Sequence, residues 1–223
     1  MRLLIAGCSF SGSNWGLLEH HDITNVSAPG ASNQYIADSI DFHLRDDFDL
    51  VVVLWSGVYR VDMIVPKQWA DAHCGDYDFI SHLGPKTYIH GGGIAGSWMS
   101  LGSTARNFFK SQYIGSDNSY LRDRGLKPVL DSLALMQHRG QPFLWGWIYD
   151  IERDYEQTSY GHCLGRLGPV SELHRYQSCG INTTPLEWCQ QHGQISQDGF
   201  HPTIAGYREF GERHILPLVN NRC

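Results

Sequence analysis

Several absences narrow the problem before any motif is read. No apolar run in the 223 residues is long enough to cross a bilayer, which takes about 20 consecutive apolar residues. No block of like charges occurs, and the net charge is −6. Nucleic-acid binding wants clustered Lys and Arg, so nucleic acid is not expected as a partner. The six cysteines (Cys8, Cys74, Cys163, Cys179, Cys189 and Cys223) include no CxxC pair. His162, Cys163, Cys179, Cys189 and His192 fall near one another, but at spacings that match no common zinc site. Neither a metal nor a cofactor is therefore expected, and free thiols in a reducing compartment are. The N-terminus shows no signal-peptide core followed by a cleavage site, which predicts a cytoplasmic protein. Repeats, low-complexity segments and linkers are also missing, so residues 1–223 are read as a single domain.

What is present is ordinary globular composition, 18% charged and 42% hydrophobic. Leu3 to Ala6 is a short apolar run closed by Gly7, the pattern of a strand buried on both faces. Ile23 to Val26 and Leu50 to Leu54 read the same way, the second continuous and rich in β-branched residues. Pro142 to Trp147 is a further strand, with Phe143, Trp145 and Trp147 alternating onto one face. Between strands, Tyr35, Ile36, Ile40 and Leu44 recur at helical spacing behind a Ser32 N-cap, predicting a helix over 33–45. Leu121 to Met136 predicts another, with a kink or fresh start at Pro128. Thr184-Pro185-Leu186-Glu187 has the form of a capping box. A last helix carries Ile204, Tyr207 and Phe210. Strands alternating with helices imply a mostly parallel sheet with helices on both faces. Residues 57–116 show no sustained period and are read as a long irregular excursion, apart from a helix near 100–113 and a short strand at 86–89.

Chemistry is suggested at the end of the first strand. Ser9 follows Gly7-Cys8 at a strand's carboxyl end, the edge where open α/β sheets build their sites. A serine hydroxyl needs a base, usually a His oriented by a carboxylate. Asp198-Gly199-Phe200-His201-Pro202 supplies both, three residues apart in a loop before a helix. The N–H groups of Ser9 and Gly30 are candidate oxyanion donors, Gly30 lying in a loop just before a helix. Cys8 is a competing nucleophile, although a free Cys is more often a small core residue.

Other motifs lead elsewhere. Gly91 to Gly96 matches Gly-x-Gly-x-x-Gly without a clear helix and strand behind it, which argues against dinucleotide binding. His90-Gly91-Gly92-Gly93 has the form of a lipase oxyanion loop, but the Gly-x-Ser-x-Gly of that fold is missing. Trp145, Trp147 and Trp188 are read as core, with a sugar-stacking platform as the other possibility.

Taken in order, Gly7-Cys8-Ser9-Phe10, Ala28-Pro29-Gly30-Ala31-Ser32-Asn33 and Asp198-Gly199-Phe200-His201-Pro202 resemble the motif blocks of the SGNH (GDSL-like) hydrolase family. The resemblance implies a three-layer α/β/α sandwich, flavodoxin-like in its mostly parallel sheet. It implies ester hydrolysis through an acyl-enzyme without a metal. Ser9 would be the nucleophile, His201 the base, Asp198 its orienter, and Ser9 and Gly30 the oxyanion donors. Two positions depart from the family pattern. Cys8 stands where the first block usually has Asp. More seriously, the third block usually carries an Asn as oxyanion donor, and here the strand runs into Trp55-Ser56-Gly57-Val58-Tyr59-Arg60. Ser56 or Asn33 could fill that role, and Arg60 could hold an anionic part of the substrate. The expected function is hydrolysis of a small acyl ester such as acetyl, on a carbohydrate or other small-molecule carrier. The alternatives are acyl transfer by the same triad and a non-catalytic module that binds glycan or protein.

Overall fold

The computed structural model describes residues 1–74, 77–92, 99, 101–113, 118–151 and 173–221. His162, Cys163, Cys223 and the stretch Gly93 to Gly96 lie outside the described residues.

Four parallel strands form the central sheet: β1 (Arg2–Ala6), β2 (Asp22–Asn25), β3 (Leu50–Trp55) and, last in the chain, the strand Phe143–Trp147. Counting the three strands that intervene in sequence, the last is β7. The spatial order is β2-β1-β3-β7, the start of the flavodoxin-like order. Ala6 pairs with Val53, and Val53 with Trp145. Ile181 N–H extends the pattern by donating to Trp145 O at 2.7 Å. All six residues of β3 are buried, as a strand covered on both faces requires.

Helices flank the sheet in two groups. One consists of α1 (Asn33–His43) packed on a long helix, Asn118–His138. The other consists of Pro185–Gln191, Ile204–Phe210 and Leu216–Asn221, the last two joined by a π-turn at Gly211–Ile215. The side chain of Ser32 caps α1 by accepting from Gln34 N–H at 3.2 Å, as the sequence predicts. The helix Asn118–His138 runs through Pro128 as one element, so the proline does not divide it. The capping box at Thr184 does not form. Glu187 Oε1 instead accepts the Asp150 N–H at 2.9 Å, tying this helix to the end of β7.

The largest departure from expectation is in residues 57–116, where the strand expected at 86–89 and the helix expected near 100–113 are present but belong to a second sheet with its own helices rather than to an irregular excursion. Strands β4 (Asp62–Pro66), β5 (Ile80–Leu83) and β6 (Lys86–His90) pair antiparallel in the order β4-β6-β5. Helices α2 (Lys67–His73) and α3 (Ser103–Tyr113) accompany them. Alternation along β6 explains how the sheet sits. Ile89 joins a small core with Ala70, Ala105 and Phe109, while Tyr88 and His90 point the other way, against Tyr35 of α1. Because β6 pairs antiparallel with both neighbours, it is not the first strand of a parallel βαβ unit, which the dinucleotide reading requires.

Candidate active site

The chain leaves β1 at Gly7 and turns at once. A Cβ on Gly7 would come 2.2 Å from Ser11 Oγ and 3.0 Å from Leu54 O, so only glycine permits the turn. A 3-10 turn at Ser9–Ser11 follows, closed by Ser11 N–H to Cys8 O at 3.0 Å. It sends the Cys8 side chain into the core and leaves Ser9 half-buried at the sheet edge. The edge is that of β1 beside β3, where the strand order reverses direction.

The loop before Ile204–Phe210 meets Ser9 there. Ser9 Oγ lies 2.9 Å from His201 Nε2, and His201 Nδ1 lies 2.6 Å from Asp198 Oδ2. With Nδ1–H donated to the carboxylate, Nε2 is left to accept the serine proton. The other Asp198 oxygen, Oδ1, accepts the Ser196 hydroxyl at 2.6 Å and the N–H groups of Phe200 and His201, both at 2.9 Å. These bonds favour the ionised carboxyl and hold its pKa well below the usual carboxylate range. Ser196 contributes most, then Phe200 N–H, then the His201 ring and N–H. The loop base is clamped by Ser196 N–H to His201 O and Thr203 N–H to Gln194 O, both at 2.8 Å. Phe10, fully buried, packs against the His201 ring at a centroid distance of 5.3 Å, and Phe200 packs edge-on against both rings. The imidazole is thus held by rings as well as by hydrogen bonds.

Gly30 sits in a left-handed turn (φ +73°), and its N–H has no partner among the described residues. The same holds for Ser9 N–H.

Around the third block the three sequence candidates separate. Asn33 is 1% exposed; its Oδ1 accepts Ser56 N–H at 2.8 Å, and its Nδ2 donates to Gly125 O at 3.1 Å. It staples α1, the end of β3 and the helix Asn118–His138 together, so its amide is turned inward. Ser56 is buried, its N–H held by Asn33 and its hydroxyl without a partner among the described residues. Arg60 is half-buried and its Nη1 lacks a partner among the described residues.

The sequence reading missed Ser196, Phe10 and Phe200 as parts of the site. Ser196-Gln197-Asp198 carried a signal for the first, since Ser and Asp two apart in a turn can bond side chain to side chain. A cavity of about 520 Å³ opens at the carboxyl end of β7, lined among others by Trp145, Trp147, Tyr149, Asn182 and Glu187.

Comparison with solved structures bears on the fold. The chain is similar to the psychrotrophic esterase EstA from Pseudoalteromonas sp., in a structure inhibited by monoethylphosphonate, with a TM-score of 0.50 at 11% identity over 99% of both chains. Weaker similarities are to TesA (TM-score 0.49, 14% identity, 98% of this chain and 99% of that one) and to a catalytic mutant of Axe2, an acetylxylan esterase from Geobacillus stearothermophilus (0.44, 11%, 95% and 90%). No family model and no curated protein matches the sequence. The mostly parallel sheet with flanking helices implied by the SGNH resemblance is the fold observed.

Proposed function

We propose that this protein is an SGNH-type serine esterase that cleaves a small acyl ester through Ser9, His201 and Asp198. The observation that carries the reading is the connectivity: hydroxyl to Nε2 at 2.9 Å and Nδ1 to carboxylate at 2.6 Å, at the carboxyl end of β1. Residues 192 positions apart meet here, and each presents the atom that the chemistry needs. A fold shared with an esterase is consistent with it.

In the mechanism, His201 Nε2 takes the Ser9 proton as Oγ attacks the ester carbonyl. The negative charge that develops on the carbonyl oxygen is stabilised by the N–H groups of Ser9 and Gly30. The proton on His201 passes to the departing alcohol. Water then enters, gives its proton to the same nitrogen, and attacks the acyl-serine to release the acid. Asp198, kept ionised by its four hydrogen bonds, orients the ring and stabilises the imidazolium.

An acetyl-type acyl group on a carbohydrate is the preferred substrate. The cavity at the end of β7, lined by aromatic and polar side chains but by no residue of the triad, is the candidate site for the sugar. Arg60, with a guanidinium nitrogen that has no partner among the described residues, near the end of β3, is the candidate to hold an anionic substituent. No metal or cofactor takes part in this scheme.

The test is p-nitrophenyl acetate hydrolysis by the wild type beside Ser9→Ala and His201→Ala. Turnover lost in both variants supports the triad. A wild type no faster than the variants overturns the esterase reading, and a glycan-binding screen then follows. Added alcohol or sugar acceptors separate hydrolysis from acyl transfer.

A further inference from the structure

Behind the Gly30 turn lies a second hydroxyl–imidazole–carboxylate relay, and it is buried. Asp62 of β4 and His90 of β6 are direct partners across the antiparallel pair. His90 Nδ1 lies 2.9 Å from Asp62 Oδ1, and His90 Nε2 lies 2.8 Å from Ser81 Oγ on β5. The connectivity repeats that of Ser9, His201 and Asp198. Exposure separates the two sets. The side chains of His90 and Asp62 are 0% and 1% exposed, so no substrate reaches this imidazole. The relay therefore acts on the protein itself.

Its target is the turn that carries Gly30. Asp62 Oδ1 and Oδ2 accept the Ser32 N–H at 3.2 and 3.3 Å, and Oδ2 also accepts the Ser32 hydroxyl at 2.6 Å. His90 also stands behind the turn. A Cβ on Gly30 would lie 3.5 Å from His90 Cβ and 3.1 Å from Phe79 Cδ1. The backbone donors of the turn can be followed one by one. Ala28 N–H goes to Gly7 O and Ala31 N–H to Ala28 O, both at 3.2 Å. Pro29 has no N–H, and Ser32 N–H goes to Asp62. Among the described residues, Gly30 N–H alone in this turn is left unengaged.

We infer that Asp62, His90 and Ser81 form a positioning relay that fixes Gly30 N–H as an oxyanion donor, making the β4-β6-β5 sheet the rear wall of the oxyanion hole. This rests on the esterase reading and deepens it. Without a third-block Asn, the two backbone N–H groups carry the oxyanion, so misalignment at Gly30 removes a large share of the stabilisation. A carboxylate suits the task because it accepts from Ser32 N–H, Ser32 Oγ and His90 Nδ1 at once, which no neutral side chain of its size does.

The test uses Asp62→Asn and Ser32→Ala. In Asp62→Asn one carboxylate oxygen becomes an NH₂ group, so whichever way the amide lies it faces either His90 Nδ1 or the Ser32 hydroxyl with a donor, and one of these two bonds to the carboxylate is lost. Three quantities are measured: the amplitude of exhaustive labelling by an alkyl fluorophosphonate, p-nitrophenyl acetate turnover per labelled site, and amide exchange of a peptide spanning 28–34. The expected result is full labelling, kcat per labelled site lower by ~10–100-fold with KM little changed, and faster exchange confined to that peptide. A purely structural role gives reduced labelling with normal turnover per labelled site, and overturns the proposal. So does unchanged exchange at 28–34. If Asp62→Asn does not fold, Ser32→Ala carries the same expectation at the lower end of the range. A wild type that neither labels nor turns over overturns the esterase reading, while exchange in the two variants still decides whether the relay pins the turn.

Discussion

His201 Nδ1 and Asp198 Oδ2 are 2.6 Å apart within one four-residue segment, so the proposed base and its orienter are fixed by a single turn of chain. The other carboxylate oxygen closes that turn by accepting the N–H groups of Phe200 and His201. One side chain therefore shapes the loop and orients the ring.

Asp198→Asn separates these two tasks. The amide oxygen can still accept the two backbone N–H groups, but the NH₂ then faces His201 Nδ1 and favours the tautomer with the proton on Nε2. That imidazole cannot take the Ser9 proton. We expect kcat on p-nitrophenyl acetate to fall by ~10³–10⁴ with KM little changed, and near-native circular dichroism. A loss below about tenfold would mean that Asp198 does not serve His201 in turnover.

The depressed pKa of Asp198 also predicts a pH dependence of stability. A carboxyl whose pKa is lowered on folding stabilises the native state above its unfolded value and loses that contribution as pH falls toward the folded value. The unfolded value is about 3.9. The difference in Tm between wild type and Asp198→Asn should thus hold steady from pH 7 to about pH 5 and shrink on further acidification. Screening at a half-exposed side chain keeps the difference small, so the sign of the trend is the observable. A gap that stays constant down to pH 3 would show that the hydrogen bonds to Asp198 do not favour its ionised form in solution.

The fold and the proposed catalytic constellation were legible for different reasons. β1, β3 and β7 are continuous apolar runs, a pattern that survives without knowledge of their neighbours. Ser9 and the Asp198–His201 loop stood out because each sits at a local punctuation of glycine or proline. Of the β4-β6-β5 sheet, β6 was legible as the short strand at 86–89, whereas β4 and β5 were hidden because each mixes polar and apolar side chains. The sheet's most telling pair, Asp62 and His90, joins residues 28 apart that carry no mutual spacing signal. The capping box at Thr184 failed for a tertiary reason: Glu187 reaches the Asp150 N–H instead of its own helix. Local patterns find what local chemistry decides, and the long-range pairings escape them.

The C-terminal π-turn yields a packing prediction. A Cβ on Gly211 would lie 2.0 Å from the Trp15 carbonyl oxygen and 2.4 Å from Trp15 Cβ. Trp15 cannot retreat easily. It is fully buried, holds a left-handed backbone (φ 49°), and donates Nε1–H to Phe10 O at 2.9 Å. Gly211→Ala should cost about 1–3 kcal/mol in urea unfolding. Gly12→Ala is the control: its Cβ would meet nothing closer than 3.5 Å, on a backbone of helical φ. It should stay within about 0.5 kcal/mol of wild type. Equal effects for the two would refute the close approach at Trp15.

Asn33 offers the sharpest choice between two roles. As an oxyanion donor in place of the missing third-block Asn, its replacement would lower kcat by ~10²–10³ and leave stability nearly intact. As the staple described above, its replacement leaves Ser56 N–H buried without a partner and removes the side-chain bond to Gly125 O. An orphaned buried N–H costs about 1–3 kcal/mol and a lost hydrogen bond about 0.5–1.5 kcal/mol. The inward orientation of both amide atoms favours the staple. Asn33→Ala should therefore lose about 2–4 kcal/mol in urea unfolding, with turnover per fluorophosphonate-labelled site within about threefold of wild type. The opposite pairing, intact stability with turnover per site down a hundredfold, would make Asn33 the third oxyanion donor and require its amide to turn outward when substrate binds.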